Sequence, residues 1–163
     1  MEEVASTGTR QYVLFRLRAE EYGLPIASVQ SIIRYEQPTP VPRAPAGVEG
    51  VLNLRGQVIP VIDLGRRLFG DSIEPTPLSR IVVAESGLGP VGLAVDAANE
   101  VATISVDDIK PAPQGALDAE LSDAFEGVAS RGDHLVILLD PEKALPKPEF
   151  STGFATQEED MDV

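Results

Sequence analysis

The feature that most constrains this chain is a series of short apolar segments, each rich in Val, Ile and Leu and bounded by turn residues. The clearest pair is 51–54 and 58–62, separated by Arg55-Gly56-Gln57. Branched residues on both sides of such a turn predict a β-hairpin, and Gly56 can take the positive φ that a tight turn requires. We therefore expect Arg55 at the hairpin tip, either as a solvated turn residue or as a planar donor to a partner's carboxylate or carbonyl groups.

The same kind of segment recurs along the chain. Residues 12–17 alternate, with Val13, Phe15 and Leu17 on one predicted face. Further strands are predicted at 22–26, 29–35, 80–84, 91–95, 101–104, 125–130 and 134–139. Short strands at regular spacing indicate an all-β barrel or sandwich instead of βαβ units.

Other segments predict helices and loops. Asp63 is a candidate N-cap of a short helix that ends at Gly70, and Asp140-Pro141 is a second helix start. Residues 37–47 contain prolines at 38, 40, 42 and 45. This segment is either a loop that crosses between strands or a proline-rich ligand for an aromatic groove, and the apolar strands on both sides favour the loop.

Composition narrows the classes of function. The 163 residues, with 43% apolar content, suffice for one compact unit with its own core. The formal charge of −13 argues against a nucleic-acid or anionic-membrane surface. Cysteine is absent, which excludes disulfides and thiolate metal sites. The N-terminus lacks the basic and apolar regions of a signal peptide, and we expect a cytoplasmic protein.

Three patterns suggest chemistry but have simpler explanations. Residues 87–92 match the G-x-G-x-x-G loop of dinucleotide-binding proteins, but a strand pattern follows where the phosphate-binding helix should begin. His134 is the sole histidine, and metal sites and catalytic relays usually need more than one such group. Asp108 fits a capping box that begins at Ser105 better than a carboxylate pair with Asp107. We predict no catalytic site, no metal and no cofactor; the alternative from another class is a small ligand-binding or enzymatic β-barrel.

Asn53-Leu54-Arg55-Gly56, followed by the run from Val58 to Leu64, resembles the signature of the CheW-like domain of bacterial chemotaxis. Ordered matches at 11–15, 21–26, 29–30, 91–96 and 135–140 extend the resemblance from 11 to 145. It implies two SH3-like five-stranded β-barrels packed side by side, with short helices, over a domain at 11–149.

The expected organisation has three further parts. A loop at 71–78 is the candidate boundary between the two halves of the domain. Polar composition predicts a flexible N-terminal arm at 1–10 and a disordered acidic tail at 150–163. The tail either shields a partner's basic surface or adds solubility, and like-charge runs favour the second.

The resemblance also implies a function. Such proteins are non-enzymatic adaptors that couple methyl-accepting chemoreceptors to the histidine kinase CheA. They bind the kinase's own CheW-like regulatory domain and contact the receptor's cytoplasmic tip through the cleft between barrels. A kinase that controls pili, gliding or another output is the alternative within the same class.

Site residues follow from the same resemblance. The residues expected to line or support the receptor contact are Arg55, Val29, Ser31, Gly50 and Leu54. Those expected at the kinase contact are Ile81, Val91 and Gly92. Many relatives carry glutamate where this chain has Ser31, so an ion pair made by that acid would be missing here.

Overall fold

The computed structural model describes residues 8–44, 47–86, 89–111 and 124–144. Most of these residues lie in strands: β1 Thr9–Leu17, β2 Glu20–Pro25, β3 Val29–Arg34, β4 Val48–Leu54, β5 Gln57–Asp63, β6 Arg80–Ser86, β7 Gly89–Val95, β8 Ala97–Ser105, β9 Ile109–Lys110, β10 Phe125–Arg131 and β11 His134–Leu139. The helices are α1 Leu64–Phe69 and α2 Pro141–Ala144, with 3-10 turns at Ile26–Ser28 and Val106–Asp108.

The strands form two sheets. The six-stranded sheet has the order β8-β1-β2-β11-β10-β9, and the five-stranded sheet has the order β3-β6-β7-β5-β4. Neighbours are antiparallel except for the parallel pairs β2–β11 and β5–β7. The mostly-β prediction is confirmed. One sheet has six strands and not the expected five, because the chain bends after β8 and continues as the two-residue strand β9 at the opposite edge.

The predicted boundary at 71–78 does not separate the two sheets. This loop joins α1 to β6, and β3 to β7 all belong to the five-stranded sheet. The chain changes sheet at the 3-10 turn Ile26–Ser28 and again at Asp96. The loop at 71–78 stays within one sheet because β5 and β7 pair in parallel. Parallel strands need a crossover connection, and α1, this loop and β6 supply it.

Buried apolar side chains form three clusters, because both faces of each sheet carry them. The shared cluster takes residues from both sheets and includes Phe15, Leu17, Tyr22, Leu24, Ile62, Val82, Leu93 and Leu139. The cluster of the six-stranded sheet includes Tyr12, Leu14, Ala102, Ile104, Val136 and Leu138. The cluster of the five-stranded sheet includes Leu52, Ile59, Val61, Ile81, Val83 and Ala94. The alternation predicted along β1 is confirmed, since its two faces contribute to different clusters.

The predicted caps can be compared with the structure directly. Asp63 caps α1 by accepting from the Arg66 amide at 3.0 Å, and Gly70 ends the helix with φ of 86°. Both predictions are confirmed. Ser105 accepts from the amide of Asp107 at 3.2 Å and not from that of Asp108, because the turn that follows is a short 3-10 helix and not the first turn of an α-helix.

Two predictions at the chain ends fall partly outside the described residues. Strand β1 begins at Thr9, so the predicted arm ends before position 10. The backbone oxygen of Gly8 accepts from Val106 at 3.0 Å, which fixes this start against the 3-10 turn after β8. Residues 1–7 and the predicted tail at 150–163 lie outside the described residues.

The two sheets follow one plan. In each, a row of paired residues crosses five strands and passes through a glycine of the parallel pair. The row of the six-stranded sheet is Glu100, Leu14, Gly23, Leu138 and Gly127. The row of the five-stranded sheet is Ser31, Val83, Gly92, Val61 and Gly50. The pairing register shifts next to both ends of each row. The residues therefore correspond one to one, with Ser31 in the place of Glu100.

Arg18 joins the two sheets at the β1–β2 turn. Its amide donates to Asp96 at 2.6 Å, and its guanidinium forms an ion pair with Asp71 at 2.7 Å. The guanidinium also lies 4.4 Å from the centre of the Phe69 ring, at the end of α1. These contacts and the shared cluster fix the five-stranded sheet against the six-stranded sheet.

Candidate functional site

The tip of the β4–β5 hairpin is a two-residue turn formed by Arg55 and Gly56, closed by the pair Leu54 and Gln57. Both turn residues have positive φ, 56° for Arg55 and 86° for Gly56, as a type I′ turn requires. The positive φ predicted for Gly56 is confirmed. That of Arg55 was not expected, and the Asn53 side chain helps to hold the turn by accepting from the Gly56 amide at 2.9 Å.

Arg55 differs from the arginines of this chain that form ion pairs. Arg10, Arg18, Arg66 and Arg131 each have a carboxylate oxygen within 3.3 Å. Arg55 is exposed, and within the described residues it forms no ion pair or side-chain hydrogen bond. A guanidinium held on a rigid turn without an internal partner can donate to a carboxylate brought by another molecule.

Gly50 is a buried residue that allows the backbone of Thr39 to pack closely against β4. A Cβ atom at this position would lie 2.3 Å from the backbone oxygen of Thr39. That close approach lets Thr39 and Val51 exchange two backbone hydrogen bonds of 2.9 Å. Gly50 therefore supports the edge of β4 and contributes no side chain to a contact, and the sequence held no local signal for this role.

The other residues expected at the receptor contact lie on two different strands. Val29 and Ser31 belong to β3 and Leu54 to β4, the two edge strands of the five-stranded sheet. Val29 packs against the shared cluster, whereas Leu54 packs against the cluster of the five-stranded sheet. Ser31 and Gly50 occupy the two ends of one residue row. The structure thus brings Leu54 and Arg55 together at the tip and places Ser31 on the opposite edge strand.

The three residues expected at the kinase contact are buried. Ile81 is 0% exposed and Val91 is 3% exposed. Gly92 lies under Ile81, whose Cγ2 would be 2.9 Å from a Cβ atom added at Gly92. Strands β6 and β7 are interior to their sheet, which is why these side chains face the core. They shape the hairpin from within, and a kinase contact at this hairpin stays a prediction.

Sequence reasoning missed several exposed apolar side chains near this end of the five-stranded sheet. Val58 is 55% exposed on β5, three residues after Arg55. Ile26 and Ile32 are exposed beside β3 and on it. Gln30 donates to Glu85 across the β3–β6 pair. Burial alternates along 29–34, as expected of an edge strand, but polar and apolar residues do not alternate there, so the sequence held no signal for the exposure of Ile32.

The described residues offer little for catalysis. No group of three or more His, Asp or Glu side chains among them is arranged to hold a metal ion. The strand expected after 87–92 is present as β7, so the glycines do not open a phosphate-binding helix. No helix within the described part of the chain is long and apolar enough to cross a membrane.

The chain is similar in sequence to a known family of proteins. The family model described as "CheW-like domain" matches residues 11–149. The chain is 38% identical over 144 residues to the chemotaxis protein CheW of Rhizobium meliloti, covering 88% of this chain and 92% of the relative. It is 33% identical over 106 residues to protein FrzA of Myxococcus xanthus, covering 65% and 66%.

A solved structure agrees with the fold. The scaffolding protein TtCheW from Thermoanaerobacter tengcongensis superposes with a TM-score of 0.76 at 33% identity, over 85% of this chain and 89% of that one. With the strands in two sheets and the Asn-Leu-Arg-Gly turn at the hairpin tip, these matches show that the chain belongs to the CheW-like family.

Proposed function

We propose that this chain is a non-enzymatic scaffold that couples methyl-accepting chemoreceptors to the histidine kinase CheA in bacterial chemotaxis. Family membership and the similarity to several CheW proteins support this role. Because the proposed contact is with the cytoplasmic tip of the receptor, the protein would act in the cytoplasm. The similarity to FrzA supports a second candidate, an adaptor for a chemosensory pathway with another output.

The observation that carries the proposal is the Arg55 tip. The turn is held by the Asn53 side chain and by the flanking strands, so the Arg55 backbone is fixed at the tip while its charge stays accessible to a partner. An arginine at the centre of an interface can be a hot spot. Leu54 and the exposed Val58 supply apolar surface beside it.

The kinase contact is proposed at the β6–β7 hairpin. Buried Ile81, Val91 and Gly92 keep this hairpin rigid, and contact would use the residues around its turn, such as exposed Glu85. The two proposed contacts lie on different hairpins of the five-stranded sheet. Since β5 and β7 run parallel, both hairpins point to the same end of that sheet, and Glu85 is hydrogen-bonded to Gln30, between Val29 and Ser31.

We further propose that both sheets curl into SH3-like five-stranded barrels. The support is that each sheet covers a cluster of its own on the face away from the shared cluster. In addition, β8 and β9 follow one another closely in the chain yet occupy opposite edges of the six-stranded sheet. One bent strand that spans both edges is how a sheet of this kind closes.

The test is Arg55→Ala, with Arg16→Ala as the matched control. Arg16 is an exposed arginine on the six-stranded sheet. The probe is co-sedimentation of the purified protein with membranes that carry the organism's own methyl-accepting chemoreceptors, in the presence of CheA. Arg55→Ala should weaken co-sedimentation roughly thirtyfold, as expected for an interface hot spot of about 2 kcal/mol. Arg16→Ala should leave it unchanged.

Thermal melting of the same proteins separates binding from folding. Both variants should melt within about 2 °C of the wild type, since exposed side chains contribute little to stability. Co-sedimentation of Arg55→Ala at wild-type affinity would show that this tip is not the receptor contact. Turnover of a substrate by the purified chain alone would contradict the non-enzymatic role.

A further inference from the structure

Arg18 has a backbone conformation that residues with a side chain rarely adopt. Arg18 and Ala19 form the two-residue turn between the paired residues Leu17 and Glu20, and the φ of Arg18 is 58°. Positive φ is costly for a residue with a Cβ atom, and hairpin turns usually place Gly, Asn or Asp there. An arginine is favourable at this position only if contacts of its side chain offset that cost.

The Arg18 side chain makes two contacts at the junction of the two sheets. Its Nη2 atom lies 2.7 Å from a carboxylate oxygen of Asp71, and its Cζ atom lies 4.4 Å from the centre of the Phe69 ring. The Phe69 ring also meets the ring of Tyr22 edge to face, with 6.3 Å between the centres. The end of α1 is thus held by a cation and by an aromatic ring of the six-stranded sheet.

The segment that follows α1 is packed unevenly. A Cβ atom at Gly65 would lie 3.0 Å from both the Asp71 backbone oxygen and the Ile73 side chain. The Ile73 amide donates at 3.1 Å to the carboxylate that caps α1. On the other side, a cavity of about 340 Å³ is bounded by this segment, by Leu17 and by Arg18. The segment is therefore packed tightly on α1 and loosely against the β1–β2 turn.

The ion pair on the loosely packed side is exposed. The side chain of Arg18 is 51% exposed and that of Asp71 is 77% exposed. Salt screens exposed ion pairs, and their net contribution to stability is small. Such a contact can open while the buried clusters stay intact, because local opening requires only the loss of the contacts made there.

We propose that Arg18 is a conformational latch, which holds Phe69 and Asp71 against the β1–β2 turn and, when it opens, admits water to the cavity at the junction of the two sheets. Ionic strength sets the fraction of open molecules, since salt screens the attraction between Arg18 and Asp71. The latch lies at the α1 end of β5, and the Arg55 tip lies at the other end of that strand. The inference is therefore independent of the proposed receptor contact.

The first experiment uses a single tryptophan as its probe. The chain contains no Trp, so Phe69→Trp places the sole indole at the latch, where it keeps an aromatic face for the Arg18 guanidinium. In this background, Asp71→Asn removes the carboxylate of the latch. Glu126→Gln is the matched control, because it removes the carboxylate of a different surface ion pair, with Arg10 at 3.3 Å.

Quenching by acrylamide, which is uncharged, measures how accessible the indole is. At low salt, Asp71→Asn should raise the quenching constant about twofold over that of the Phe69→Trp protein, because the open state becomes populated. High salt should raise the constant of the Phe69→Trp protein and leave that of Asp71→Asn unchanged. Glu126→Gln should behave as the Phe69→Trp protein does. Equal quenching with and without Asp71→Asn would overturn the latch, as would an equal increase with Glu126→Gln.

Hydrogen exchange tests the latch with Phe69 in place. Arg18→Gly removes the guanidinium, and the turn should be kept because glycine accepts a positive φ. Exchange of the Gly70 amide, which donates to the Arg66 oxygen at 2.8 Å, should be about tenfold faster than in the wild type at low salt. Exchange of the amide of Leu93, which is buried in the core, should stay the same. Unchanged exchange at Gly70 overturns the proposal, and so does faster exchange at both amides, since Arg18 then only stabilises the whole fold.

Discussion

The hairpins β4–β5 and β10–β11, which precede α1 and α2, have the same backbone pairing, which we call the frame, but different charge environments. At the β10–β11 turn, Arg131 pairs with Glu100, and His134 lies 3.3 Å from Glu21. At the β4–β5 turn, Arg55 has no ion pair within the described chain, and Gln57, which corresponds to His134, is neutral. The same backbone plan thus gives one turn whose arginine is paired with an internal carboxylate and one whose arginine is available to a partner.

This difference teaches that backbone equivalence and binding function are set by different residues. The glycines of the two rows, Gly50 with Gly127 and Gly92 with Gly23, keep the frame the same. The side chains at the row ends and at the turns decide which of the two hairpins has an unpaired charge at its tip. Variants at equivalent positions therefore test the frame and the turns separately.

The largest expected effect concerns the frame. Gly50→Ala should cost roughly 3 kcal/mol or more, because the new Cβ would meet three atoms of 38–39 at 2.3 to 2.9 Å, two of them backbone. Gly127→Ala should cost less, since a Cβ there meets one atom below 3.0 Å, the Lys110 oxygen at 2.6 Å. Urea unfolding with both midpoint and slope measures the two costs. Equal costs, or the reverse order, would show that the two frames are not packed as described.

The next effect concerns the helix caps. Asp63 is 6% exposed and accepts from the amides of Arg66 and Ile73 at 3.0 and 3.1 Å. Asp140 accepts from the amide of Glu142 alone among the described residues, at 3.0 Å. We expect Asp63→Ala to cost about 2 kcal/mol and Asp140→Ala about 1 kcal/mol. Denaturant unfolding of both variants checks the order, and a larger cost at Asp140 would contradict it.

The pH dependence of stability is a further test of the Asp63 cap. Burial raises the pKa of Asp63, against the lowering effect of the backbone N–H groups of Arg66 and Ile73. The folded carboxyl then holds its proton more tightly than the unfolded one, so its contribution to stability is greatest in acid and falls as pH rises through the folded pKa. Asp63→Asn keeps an oxygen acceptor but no charge. Its melting temperature should gain on the wild type as pH rises from about 3 to 6, and a constant difference would contradict this sign.

The smallest expected effect concerns the two turns. Arg131→Ala should cost about 0.5 to 1 kcal/mol, because a partly exposed ion pair with Glu100 is lost. Arg55→Ala should stay within about 0.5 kcal/mol, as for an ordinary exposed residue. Melting at low and high salt is the measurement: the cost of Arg131→Ala should shrink with salt, and that of Arg55→Ala should not. A salt-sensitive cost at Arg55 would reveal an internal partner.

Much of the local structure was predictable from the sequence. The β4–β5 hairpin, the positive φ of Gly56, the Asp63 cap and the end of α1 at Gly70 depend on residues close together in the chain. Turn and cap chemistry acts over a few residues, so the pattern of Gly, Asp and branched residues carries it. Arg55 as a tip residue follows from the same local information.

The assignment of strands to sheets was decided only by tertiary structure. Nothing local states that β11 pairs in parallel with β2 or that β3 and β7 share a sheet. The burial of Ile81 and Val91 depends on that assignment, because β6 and β7 become interior strands. Their apolar side chains were equally compatible with a surface patch until the neighbours were known. Likewise, the correspondence of Ser31 with Glu100 rests on pairing between residues far apart in sequence, and only the folded chain brings it about.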